Sequence, residues 1–180
     1  MSALSKPKIL ITGQPGCGKT TLIKKVIKTV SRPSHGFLTE EILQSGRRVG
    51  FAIKTLSQPS REGVLSHVGF KSDYRVGKYG VDIESFENIV LPELNLGIQQ
   101  KSLIIIDEIG KMELFSTRFK EILTKIFESD LQILASIMLK PQPFCDKLTL
   151  MPDIKLLEIN RGNRNRMAET AVATFTSRSS

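Results

Sequence analysis

The stretch Lys8-Ile-Leu-Ile-Thr12, running into Gly13-Gln-Pro-Gly-Cys-Gly-Lys-Thr20, decides how this sequence folds. A short apolar run rich in β-branched residues stops at a glycine, which predicts a buried strand. The turn that follows fits the spacing G-x-x-x-x-G-K-[ST] of a phosphate-binding loop. Gly13, Gly16 and Gly18 let the backbone fold tightly and aim successive N–H groups inward, making an anion nest. A helix opening near Lys19 adds its positive end. Gln14, Pro15 and Cys17 fill variable positions, where the backbone rather than the Cys17 thiol matters. In this chemistry Lys19 reaches the β- and γ-phosphates, the Thr20 hydroxyl binds Mg²⁺, and Gly13 through Thr21 line the nucleotide.

Downstream, apolar residues at Leu22, Ile23, Val26, Ile27 and Val30 predict a helix over 19–30, closed by Ser31-Arg-Pro33. Residues 36–43 and 48–56 read as extended runs joined around Ser45-Gly46, a hairpin. A turn-rich loop follows at 57–63, then a short strand at 64–70. Asp82 opens a helix to about Leu96, with Pro92 expected to kink or interrupt it. Four aliphatic residues, Leu103–Ile106, predict a central strand buried on both faces. A helix at 116–127, a strand at 132–139, a break at Pro141-Gln-Pro143, a strand at 154–159 and a helix at 164–175 complete the chain, with a frayed tail at 176–180. Alternating strands and helices predict an α/β fold, a mostly parallel sheet flanked by helices with an inserted β-hairpin. No repeat or linker divides residues 1–180, so one domain is expected.

Leu103-Ile-Ile-Ile-Asp107-Glu108 pairs with the glycine loop as a Walker B pattern, an aliphatic strand ending in carboxylates. Ligands of such sheets bind at the carboxyl ends of the strands, which puts Asp107 beside the loop as a Mg²⁺ ligand. Glu108, directly after it, is placed to take a proton from an attacking water. Glu113 is the next carboxylate in the same segment. Lys111 is assigned to γ-phosphate charge or to pairing with Glu108, against an ordinary surface lysine.

The 180 residues include 40% hydrophobic and 24% charged, an ordinary globular balance that excludes disorder as the main state. Two cysteines and two histidines exclude a disulfide framework and a multi-histidine metal site. No apolar run reaches the roughly 18 residues of a membrane span, and the first eight residues lack a signal-peptide core. A soluble, cytoplasmic protein, expected to be a monomer, is the reading. The net charge of +8 suggests polyanionic company, of which nucleoside triphosphates are one kind and nucleic acid another.

Taken together, the blocks resemble the cancer-related nucleoside-triphosphatase family, small P-loop enzymes of thermophilic prokaryotes and animals. The resemblance is carried by Thr12–Leu22, Gly36–Glu41, Gly46–Phe51, Arg75–Tyr79 with Asp82, and Asn163–Asn165. Its most specific block is Ile106-Asp-Glu-Ile-Gly-Lys-Met-Glu-Leu-Phe115. It implies Mg²⁺-dependent hydrolysis of nucleoside triphosphates with broad base tolerance. It also implies a RecA-like sheet in which a further strand separates the loop-bearing and acid-bearing strands. Nothing is carried over between Pro141 and Ile154.

Arg75 and Arg164 lie in family-matching blocks, where arginine fingers and plain salt bridges are both open. Arg47 and Arg48 are expected to be exposed at the hairpin tip, and His35 and His67 to be structural. No segment of the kind that reads guanine or marks transport ATPases is present, and with no Trp and two Tyr a base-stacking platform is weakly supported. Two rivals share the loop: a nucleoside or nucleotide kinase, which needs an acceptor pocket, and a nucleotide-gated nucleic-acid-binding protein.

Overall fold

The computed structural model describes residues 6–176. In chain order these form β1 (Lys8–Thr12), α1 (Lys19–Thr29), β2 (Ser34–Gln44), β3 (Arg47–Thr55), β4 (Glu62–His67), β5 (Arg75–Val76) and β6 (Tyr79–Val81). Then follow α2 (Ile83–Gln99), β7 (Leu103–Ile109), a 3₁₀ turn (Glu113–Phe115), α3 (Thr117–Glu128), β8 (Ile133–Ile137), α4 (Pro143–Thr149), β9 (Ile154–Glu158) and α5 (Arg164–Thr176). One sheet joins the strands in the order β5-β6-β4-β3-β2-β7-β8-β1-β9. Strands β2, β7, β8, β1 and β9 pair in parallel, and β8 lies between β1 and β7 as the resemblance implies.

Alternation along the parallel strands divides the core. Leu10, Ile104, Ile106, Ile133 and Ala135 pack on the side of α2, α3 and α4, in a cluster centred on Phe37, Phe86 and Phe119. Ile9, Ile11, Leu103, Ile105 and Leu134 pack on the other side with residues of α1 and α5. Burial on both faces is why these strands read as continuous aliphatic runs. The carboxyl ends of β1 and β7 are thereby held two strands apart.

The expected hairpin is present, with Ser45 and Gly46 both at positive φ (50° and 73°), the mirror-image turn that suits strand twist. It is more than an insertion, because β2 pairs in parallel with β7 while β3 begins an antiparallel extension through β4, β6 and β5. The β5–β6 hairpin was not foreseen; strands of two and three residues carry no periodic signal. Helix α4 also differs from the expected break at Pro141-Gln-Pro143. Pro143 opens a helix instead, where its missing N–H costs nothing, and the Gln142 side chain caps the turn by accepting the Cys145 N–H at 2.9 Å. Pro92 does not interrupt α2: Pro92 and Asn88, whose carbonyl loses its donor, are both exposed. Strand β7 runs past Ile106 to Ile109, so both acids belong to the strand rather than to the loop after it. Residues 1–5 and 177–180, where expectations about the leading segment and the tail fall, lie outside the described residues; Thr176 ends α5.

Candidate active site

The loop between β1 and α1 follows from its glycines. Gly13 has φ 153° and Gly18 φ 110°, and a Cβ at Gly13 would strike the Ile159 carbonyl. At Gly18 a Cβ would meet Arg164 Cδ at 3.2 Å, so the N-terminus of α5 lies against this part of the loop. The Lys19 ammonium donates to the Gly13 carbonyl at 2.9 Å and approaches that of Gln14 at 3.5 Å, bent back over the loop it belongs to. Cys17 is buried, with its backbone N–H on the Gln14 carbonyl.

The Thr20 hydroxyl donates to Asp107 Oδ2 at 2.8 Å, joining the loop to the acid strand across 87 residues of sequence. Ser136 on β8 donates to the other oxygen, Oδ1, at 2.7 Å. Burial pushes the Asp107 carboxyl pKa upward, and these two hydrogen bonds with the charge of Lys19 pull against it. A hydroxyl and a carboxylate make a hard-oxygen pair that suits Mg²⁺, which keeps water and phosphate as its other ligands. Among the described residues no group of three or more His, Cys, Asp and Glu forms a self-sufficient metal cage.

Glu108 and Lys19 line one cavity of ≈ 570 Å³ with Gly13, Gln14 and Pro15. Burial raises the Glu108 pKa, against the pull of Lys19. Lys111 lines it too, exposed and without an ion pair among the described residues, so its pairing with Glu108 is not formed here. Glu113 is buried at the same wall, where Oε2 accepts the Gly110 N–H at 3.2 Å and burial lifts its pKa to about 8.

The two candidate arginines separate. Arg75 donates to the carbonyls of Phe70 (3.2 Å) and Lys78 (2.9 Å), stapling the β5–β6 hairpin. Arg164 stands beside Gly18, positioned by a turn in which Asn160 Oδ1 accepts the N–H groups of Gly162 and Asn163. His35 is buried on Ser102 and His67 takes the Gly69 N–H, both structural bonds. Arg48, exposed as expected, is nonetheless fixed over the Phe51 ring and paired with Glu41. Sequence reading missed Ser136, although a hydroxyl inside a strand buried on both faces signals a partner. It also missed the cavity's apolar wall, Phe51, Leu65, Val76, Met112, Met138 and Leu139, which looks like ordinary core in sequence.

A glycine nest at the end of β1, tied through Thr20 to a buried aspartate two strands away, defines the class as a P-loop NTPase. The chain belongs to the NTPase family, whose profile matches residues 8–172. It is 46% identical to the nucleoside-triphosphatase THEP1 of Thermotoga sp. (strain RQ2), over 89% of this chain and 90% of that one. The human cancer-related nucleoside-triphosphatase is 40% identical over 88% and 91%. The fold of this chain is similar to the crystal structure of THEP1 from Aquifex aeolicus, with a TM-score of 0.85 and 35% identity over 94% and 99% of the chains. The solution structure of a human cancer-related nucleoside triphosphatase gives 0.80 and 36% over 96% and 99%. Among the described residues no helix is long and apolar enough to cross a membrane.

Proposed function

We propose that the Gly13–Thr20 loop, Asp107 and Glu108 form the centre at which this nucleoside-triphosphatase splits the terminal phosphate from its substrate, with Mg²⁺ and with little regard for the base. The observation that carries this is the Thr20–Asp107 hydrogen bond, with Glu108 and Lys19 facing a common cavity. Backbone N–H groups of the loop receive the phosphates. Lys19 exchanges its carbonyl partners for oxygens of the β- and γ-phosphates, meeting charge that grows as the terminal bond breaks. Glu108 takes the proton of the water attacking the γ-phosphorus, and its raised pKa makes it a better base than an exposed glutamate. Asp107 and Thr20 would hold Mg²⁺, which supplies neutralising charge at the phosphates. Lys111, without an ion pair among the described residues, faces the γ-phosphate end. The nine-stranded sheet supports treating the chain as one domain.

The test is Glu108→Gln, close in shape but unable to accept the proton. Single-turnover phosphate release should fall about 10²–10⁴-fold while binding of a fluorescent nucleotide stays near wild type. A variant that hydrolyses at the wild-type rate removes Glu108 from the role.

A further inference from the structure

The cavity beside Glu108 receives the terminal phosphate at its loop end, and it is larger than that group and one attacking water require. One water occupies about 30 Å³ of liquid, so ≈ 570 Å³ exceeds that share roughly twentyfold. Its walls divide by chemistry. Lys19, Glu108 and Lys111 stand at the phosphate end, while Phe51, Leu65 and Val76 come from three strands of the antiparallel half. Met112, Met138 and Leu139 add to the apolar side, where Lys140 and the buried Glu113 also line the cavity. An apolar wall gains by exchanging water for apolar atoms.

The base of the nucleotide does not fit here. The loop residues on the cavity are Gly13, Gln14, Pro15 and Lys19, and a lysine in this pattern serves the β- and γ-phosphates. Gly18 instead faces Arg164, which marks the other end of the loop. The cavity therefore adjoins the terminal phosphate, on the side from which it is attacked. A nucleoside is a poor second occupant as well. Away from the phosphate end the polar side chains of the lining are Gln14, Thr39, Lys140 and Glu113, and Glu113 already accepts the Gly110 N–H, which leaves little to match the edge of a base.

We propose that this cavity is a second-substrate pocket for a small, largely apolar alcohol, which receives the γ-phosphoryl group in place of water. The proposal rests on the loop and Glu108 acting as described above. The alcohol oxygen bonds to the γ-phosphorus as the bond from that phosphorus to the β-bridging oxygen breaks. Glu108 takes the hydroxyl proton, and the products are a phosphomonoester and a nucleoside diphosphate. Water is then the acceptor used when the pocket holds no alcohol.

Benzyl alcohol is the probe, with ATP and Mg²⁺, and products are counted by ³¹P NMR. At about 50 mM against bulk water its statistical share of the phosphate is about 0.1%, and binding next to the phosphorus raises that share. The expected result is benzyl phosphate at least about 30-fold above the statistical share, with glycerol phosphate within about threefold of its own. Val76→Trp, which fills the pocket from the sheet edge, should lower the ratio of benzyl phosphate to inorganic phosphate at least about tenfold. Benzyl phosphate at the statistical share, equal enrichment of glycerol, or an unchanged ratio in Val76→Trp each overturns the second-substrate pocket and leaves the hydrolase reading standing. If the wild-type protein forms no inorganic phosphate and no phosphomonoester, the hydrolase reading itself is overturned, and this proposal with it.

Discussion

Glu113 is a carboxyl group shut away from water beside two other acids. Burial is the main reason its pKa rises to about 8, and the charge of Glu108 adds to it. At neutral pH it is therefore largely protonated in the folded protein and ionised in the unfolded chain. For an acid with a raised folded-state pKa, the unfolded state releases its proton first. Stability is thus full below about pH 4.5, falls as pH rises toward 8, and levels off beyond. At pH 7 the cost is about 3 kcal/mol. Glu113→Gln keeps an oxygen for the Gly110 N–H and has no proton to lose. Urea unfolding of the nucleotide-free protein at pH 5.5 and pH 7 should show the wild type losing stability across that interval. The variant should lose about 2 kcal/mol less, the remaining slope having the same sign from Asp107 and Glu108. An equal slope in both proteins would show Glu113 to be unperturbed.

Among the elements, α3 shows how a boundary residue serves two ends. Ser116 Oγ accepts the Phe119 N–H at 2.9 Å as an N-cap and donates to Glu87 of α2 at 2.6 Å. Ser116→Ala removes both, so the expected loss is about 1–2 kcal/mol, read as a lower urea midpoint with unchanged m-value. Apolar periodicity of 3.6 made the helices legible beforehand, and at two of them the structure adds a cap where that periodicity begins: Asp82 accepts the Ser85 N–H and Ser116 that of Phe119. The parallel strands were legible for a different reason, their aliphatic runs being buried on both faces. Where these signals fail, so did the reading. Tyr79–Val81 is too short to alternate, and it is held by partners far off in sequence, such as Ser66 and His67. Pro143 can stop a chain or start a helix, and only the packing of Cys145 and Leu148 into the core decides between them.

At the scale of the whole molecule, the two halves of the sheet contribute different things. The parallel half brings Thr20 and Asp107 together, and this part of the site was legible because each residue sits in a motif whose chemistry sets its spacing. The antiparallel half supplies Phe51, Leu65 and Val76 to the cavity, and nothing in their local sequence distinguishes them from core. Arg164 lies beside Gly18 at the other end of the loop, away from this wall. The most direct measurement is steady-state phosphate release from ATP, GTP, CTP and UTP, each with Mg²⁺ and with Mg²⁺ chelated. Release from all four, with kcat/KM values within about 100-fold of one another and loss of activity on chelation, is the predicted result. Release that persists without the metal, or is confined to a single base, would contradict it.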